Sequence, residues 1–82
     1  MPNKLRSDVS STQLIKFFEK NGFEIKRKTG SHIIIGRIIV SGKQVLVVPD
    51  HKVIPKGTLK AIYNQVSRYI SESELFDIFY LK

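Results

Sequence analysis

Residues 32–49 read HIIIGRIIVSGKQVLVVP, two runs dense in isoleucine and valine on either side of Ser41-Gly42. β-Branched side chains crowd a helix but fit a pleated strand, and a Ser-Gly pair supplies the backbone freedom of a tight turn. The segment therefore reads as a β-hairpin with Ser41 and Gly42 as its two central residues. That register sets Val40 against Lys43, Ile38 against Val45 and Gly36 against Val47. Side chains alternate along a strand. One face then holds Ile34, Ile38, Val45 and Val47. The other holds Ile35, Ile39, Leu46 and Val48, together with Arg37 and Gln44. Gly36 is the expected site of a bulge. A hairpin that is apolar on both faces needs cover on both.

The rest of the chain supplies cover for one face. Ser10 and Gln13 have the spacing of a capping box, and Leu14, Ile15, Phe17 and Phe18 follow as an apolar stripe. Asn21-Gly22 should end this helix. Residues 23–28 alternate, with Phe23, Ile25 and Arg27 on one side and Glu24, Lys26 and Lys28 on the other, so a charged strand is expected there. Thr29-Gly30 breaks it. After the hairpin, residues 49–55 form a loop, and a second helix starts at Lys56 or Gly57 with Leu59, Ile62, Tyr63 and Val66 on its apolar side. Ser71 and Glu74 suggest another capping box, opening a third helix that carries Leu75, Phe76, Ile78 and Phe79.

The expected order is α-β-β-β-α plus a C-terminal helix: an α+β sandwich with a three-stranded antiparallel sheet. The domain should span residues 10–70, after a loose segment at 1–9 and before a helical extension at 71–82. Two helices cover one sheet face. The other should expose isoleucine and valine to a partner or to a second copy, unless the third helix lies over it.

At 82 residues there is room for one domain, and the absence of cysteine excludes disulfides and thiolate metal sites. No stretch has the ~20 apolar residues of a membrane span, and the polar N-terminus does not read as a signal peptide. A cytoplasmic protein with no membrane partner is the expectation. The net charge of +7 is concentrated in the middle of the chain. Residues 25–68 carry Lys26, Arg27, Lys28, Arg37, Lys43, Lys52, Lys56, Lys60 and Arg68 against Asp50 alone. Such a field attracts polyanions, nucleic acid first among them; ordinary solubilising lysine is the plainer explanation.

Most enzyme signatures are missing: there is no P-loop, no G-x-S-x-G and no H-E-x-x-H. No cluster of metal ligands is apparent, so neither metal nor cofactor is expected. RNA, however, carries its own nucleophile in the 2′-hydroxyl. A base that removes its proton starts the attack on the adjacent phosphate. Histidine titrates near pH 6.5 and can both take and give a proton. Cations that hold the phosphate stabilise the charge that builds up. His32 inside a basic field meets these requirements, although a histidine that opens a strand often has a purely structural role.

Gly30-Ser31-His32 after the basic strand, Pro49-Asp50-His51 after the last strand and Lys56-Gly57-Thr58-Leu59 at a helix start occur here in one order, behind a helix end of pattern L-I-x-x-F-x-x-x-G-F. Over residues 12–67 this order resembles the HicA, or YcfA-like, toxin family. The resemblance implies a fold like the double-stranded RNA-binding domain. It implies a metal-independent endoribonuclease that cleaves mRNA as the toxin of a type II toxin–antitoxin system. The partner would be a HicB-like antitoxin covering the active surface, and any oligomer would form through that complex. The family's catalytic histidine falls on His32. His51 matches a second family position and is either the proton donor to the leaving oxygen or a loop-fixing residue. Gly30 would let phosphate approach closely, and Ser31 would bind phosphate, orient the imidazole or simply serve the turn. Lys28, Lys52, Lys56 and Lys60 are the expected phosphate contacts. A non-catalytic RNA-binding module of the same fold is the alternative. A protein-interaction domain with incidental charge is a third.

Overall fold

The two β-branched runs pair, one residue earlier at the turn than expected. In the computed structural model, which describes residues 4–80, strands β2 (His32–Ile39) and β3 (Gly42–Pro49) run antiparallel, and β1 (Glu24–Thr29) pairs with the other edge of β2. The turn residues are Val40 and Ser41, so Ile38 faces Lys43 and Gly36 faces Val45. Gly42 is the first residue of β3, at φ +138°, where an L side chain would be strained. The register differs from the expected one by two residues. An even offset leaves every side chain on its expected face, whereas an odd one would have inverted the hairpin.

A bulge is present, but in β1 rather than at Gly36. Ile25 pairs with Ile35 and Arg27 with Ile34, so Lys26 is the extra residue. It reverses the alternation expected for β1. Arg27 now shares a face with Ile34, while Lys28 shares the opposite face with Ile33. A Cβ at Gly36 would make only ordinary contacts, 3.5 Å from Lys26 Cε and 3.4 Å from the Gln44 carbonyl oxygen, so the bulge does not depend on this glycine. Every residue of β1 is exposed. A charged, bulged edge strand of this kind is a poor template for pairing with another chain.

Three helices lie on the side of Ile33, Ile35, Leu46 and Val48. Helix α1 (Ser11–Lys20) has the expected capping box: Gln13 N–H donates to Ser10 Oγ at 3.1 Å, and Ser10 N–H donates to Gln13 Oε1 at 2.8 Å. It ends at Asn21 and Gly22, the latter at φ +90°. Helix α2 (Lys56–Val66) buries Leu59, Ile62, Tyr63 and Val66, the stripe the sequence indicated. Helix α3 (Glu72–Phe79) packs on α2, with Leu75 and Phe79 fully buried and the Phe79 ring edge-on to Tyr63 at 5.4 Å. Its start lacks the expected capping box, because the Ser71 hydroxyl pairs with Ser73 Oγ at 3.3 Å and caps nothing.

One apolar core joins β2, β3 and the three helices, from Val9 and Phe18 through Ile35 and Leu46 to Phe79. Each side chain of that size contributes about 1.5–3 kcal/mol when fully withdrawn from water. The chain ahead of α1 is held rather than loose from Leu5 onward. Leu5 bridges Tyr80, Arg6 N–H donates to the Phe79 carbonyl at 2.8 Å, and Val9 is buried. Residues 1–3 of the expected loose segment lie outside the described residues.

Because α3 joins the helical layer, it does not cover the second sheet face. That face stays open, with Ile38 76% exposed and Val45 and Val47 near half exposed. Among the described residues no helix is long and apolar enough to cross a membrane.

Candidate active site

One turn, one loop and the start of α2 converge where β2 begins and β3 ends. Gly30 and Ser31 connect β1 to β2. Gly30 takes φ +57° while Ser31 stays at negative φ, as a two-residue hairpin turn with glycine first requires. A Cβ on Gly30 would meet nothing within 4 Å, so this glycine serves the backbone angle and not a steric need. His32 follows as the first residue of β2, opposite Pro49, exposed and on the open face of the sheet.

The chain leaving β3 is tied down from both sides. Asp50 N–H donates to the Ser31 carbonyl at 2.7 Å, which extends the β2–β3 pairing one step past Pro49. The His51 carbonyl accepts two bonds from Ser11, one from its N–H at 3.1 Å and one from its hydroxyl at 3.0 Å. Ile54 N–H donates to the Val9 carbonyl at 2.8 Å. The loop thus reaches α2 along a fixed path and carries His51 toward His32.

Between them lies an open cleft of about 410 Å³, lined by His32, Val47, Pro49 and His51 on one side and by Thr58, Ala61, Ile62 and Gln65 of α2 on the other. Thr58, Ala61 and Gln65 fall at i, i+3 and i+7, one stripe of the helix. No carboxylate lines this cleft. Neither imidazole makes a hydrogen bond to another described residue, and both histidines are exposed. Helix α2 starts beside them. Its first hydrogen bond is Leu59 N–H to Pro55 carbonyl at 2.8 Å, so the amides of Lys56, Gly57 and Thr58 precede the ladder. No acidic side chain occupies that first turn. Unpaired amides at a helix start favour a phosphate oxygen.

The residues singled out in the sequence divide into two groups. His32 and His51 come together in the cleft, with Gly30 and Ser31 in the turn just before it. No lysine lines the cleft. Lys28 sits on the helical side of the sheet, its Nζ 3.1 Å from Asp50 Oδ2. That hydrogen bond and charge hold the Asp50 carboxyl below its ordinary range, and the Ser11 hydroxyl acts in the same direction. Lys60 turns toward α3, donating to the Tyr80 hydroxyl at 3.1 Å and lying over the Tyr63 ring at 5.3 Å. Lys52 and Lys56 are exposed, next to His51 in sequence and at the start of α2 respectively. Among the described residues no group of three or more His, Cys, Asp or Glu could hold a metal ion.

Sequence reasoning missed Thr58, Gln65 and Ser11. Thr58 lies within the Lys56–Leu59 motif, and its face follows from helical spacing. Nothing local marks Ser11, whose partners are 39 and 40 residues away.

No curated protein and no solved structure matches the chain. Residues 11–67 match the family model described as the HicA toxin of bacterial toxin–antitoxin systems. The match runs from the first residue of α1 to just past the end of α2 and covers more than two thirds of the sequence, so the chain belongs to the HicA toxin family.

Proposed function

We propose that this toxin is a metal-independent endoribonuclease that cleaves mRNA in the cytoplasm, with His32 as general base. The observation that carries this reading is the pairing of His32 and His51 in one open cleft at the start of α2. In the proposed reaction His32 takes the proton of a ribose 2′-hydroxyl. The 2′-oxygen bonds to the adjacent phosphorus, the bond to the 5′-oxygen breaks, and a 2′,3′-cyclic phosphate forms. Protonated His51 gives its proton to the departing 5′-oxygen, so the step needs neither metal nor oxidant. The amides of Lys56, Gly57 and Thr58 face the extra negative charge on the phosphate, the transition-state role of a preorganised donor set.

Among the expected phosphate contacts, Lys52 and Lys56 have no partner among the described residues to give up, whereas Lys28 and Lys60 would each have to leave one. Gly30 and Ser31 would border the ribose. A HicB-like antitoxin would lie on the open sheet face, which carries His32 beside Ile34, Ile38, Val45 and Val47 and so joins the apolar patch to the cleft.

The test is cleavage of an RNA oligonucleotide in the presence of EDTA, with cyclic phosphate ends identified by mass spectrometry. His32→Ala should lower the rate by roughly 10²–10⁴-fold. RNA binding with a log–log salt slope of about −0.7 per phosphate contact, but no cleavage by the wild-type chain, would identify a binding module instead. Cleavage undiminished in a folded His32→Ala protein would remove His32 from the role.

A further inference from the structure

Among the described residues Ser11 is the one buried polar residue, at 3% exposure, and its hydroxyl does nothing for its own helix. Helix α1 is already capped by Ser10 and Gln13. The Ser11 side chain points across the molecule to the loop after β3. Its hydroxyl lies 3.0 Å from the His51 carbonyl and 3.3 Å from Asp50 Oδ1, and its N–H adds a second bond to the same carbonyl. One hydroxyl proton is shared between two acceptors in consecutive residues. Asp50 extends the linkage in two directions: its N–H holds the Ser31 carbonyl, immediately before His32, and its carboxylate holds Lys28 of β1. A continuous chain of hydrogen bonds therefore runs from α1 through residues 50 and 51 to the peptide group that precedes His32. It fixes the backbones that carry both imidazoles, while the rings make no hydrogen bond to any described residue.

We propose that Ser11 is a positioning residue for His51, with Asp50 relaying the same constraint to the His32 side of the cleft. The proposal rests on the ribonuclease reading for its functional consequence, but its structural claim stands apart from it. Without the hydroxyl, the His51 carbonyl keeps only the amide bond, and the loop can rotate about it. Proton donors act only when held close to the reacting atom, and a displacement of about 1 Å can cost on the order of 10²-fold. A partial loosening should cost less. The hydroxyl rather than its exact shape is what matters, so threonine at position 11 should serve where alanine does not.

The experiment uses the full chain and two readouts. Histidine ring resonances are followed by NMR without RNA, and single-turnover cleavage of an RNA oligonucleotide is measured with increasing protein. Ser11→Ala should shift or broaden the His51 ring signals. It should lower the maximal rate about tenfold while changing half-saturation less than twofold, and Ser11→Thr should restore both. Ser11→Cys, close to serine in size and only a weak donor, keeps the core filled and should shift the His51 signals even if Ser11→Ala does not fold. His51 signals unmoved in both Ser11→Ala and Ser11→Cys, or a rate loss matched by an equal loss of RNA binding, would overturn the proposal. If the wild-type chain cleaves no RNA, the ribonuclease reading falls, and the His51 resonances alone decide whether Ser11 positions that residue.

Discussion

Arg37 and His32 sit near opposite ends of β2 and are treated in opposite ways. Arg37 points into the helical layer, half-buried, with all three guanidinium nitrogens engaged. Nε donates to Gln44 Oε1 at 2.6 Å, Nη1 to the Asn21 carbonyl at 2.7 Å and Nη2 to the Tyr69 carbonyl at 3.0 Å. Its guanidinium carbon lies 4.7 Å from the centre of the Phe23 ring. One cation thus ties β3, the end of α1 and the α2–α3 connection together at the closed end of the sheet. At the open end, the backbone on either side of His32 and His51 is bonded, but the rings are not. A side chain with every nitrogen already bonded within the fold has little left to offer a substrate. The contrast separates the part of the molecule that holds the fold from the part left available for chemistry.

The widest separation between the two ends should come from His32. Its replacement by alanine should cost roughly 10²–10⁴ in cleavage rate, yet leave unfolding in urea within about 0.5 kcal/mol of wild type, as for an exposed site with no partner. A large loss of stability would mean that His32 belongs to the framework after all.

A second test lies within β2 itself. Ile35 is 1% exposed and Ile38 is 76% exposed, three residues apart on opposite faces. Ile35→Ala should cost about 2–5 kcal/mol, and Ile38→Ser less than about 0.5 kcal/mol. Equal losses would mean that the open face is covered in solution, and a concentration-dependent melting temperature would then reveal a second copy there.

Arg37→Ala should destabilise by about 2–3 kcal/mol, because two half-buried carbonyls and one side-chain amide lose a charged donor together. Lysine should recover only part of this, since a single ammonium cannot reach three acceptors arranged around a planar fork. A neutral outcome would erase the distinction between the two ends.

The smallest effect concerns Lys28 and Asp50, an exposed pair in which the Asp50 carboxyl titrates below its ordinary 3.8 because Lys28 hydrogen-bonds and attracts it. A carboxyl lowered on folding stabilises the folded state fully above its unfolded value, and that contribution disappears as pH falls through the lowered folded value. Lys28→Ala should therefore be slightly less stable than wild type above the ordinary aspartate range, and the difference should vanish as pH falls through the lowered value. A difference that persists unchanged to the bottom of the acid range would mean that Lys28 acts through something other than Asp50.

Much of the fold was legible because its signals are local. The Ser10–Gln13 box, the Asn21-Gly22 stop and the α2 stripe each lie within one or two helical turns, and each appears as expected. The hairpin faces also survived, although the turn moved by one residue, because parity and not register decides which side chains are buried. The local signals failed where a second partner competed. Ser71 has capping spacing but pairs with Ser73. The alternation of β1 is regular in the sequence, yet Lys26 bulges out and sends Lys28 to the helical side, away from the cleft.

For the candidate site the division is similar. The two histidines could be singled out from residue type and motif order, and both line the cleft. The lysines could not be sorted, because what distinguishes Lys60 from Lys56 is whether Tyr80 lies within reach, and Tyr80 arrives only when α3 docks.

By itself the sequence determined the order of elements, the two apolar faces of the hairpin and the family. All three follow from spacing and residue type along the chain. The tertiary structure alone decided that α3 leaves the second sheet face open, that Arg37 is consumed by the framework, and that Ser11 grips the loop bearing His51. Each of these depends on groups distant in sequence meeting in space, and hydrogen bonds and contacts act over only a few ångströms.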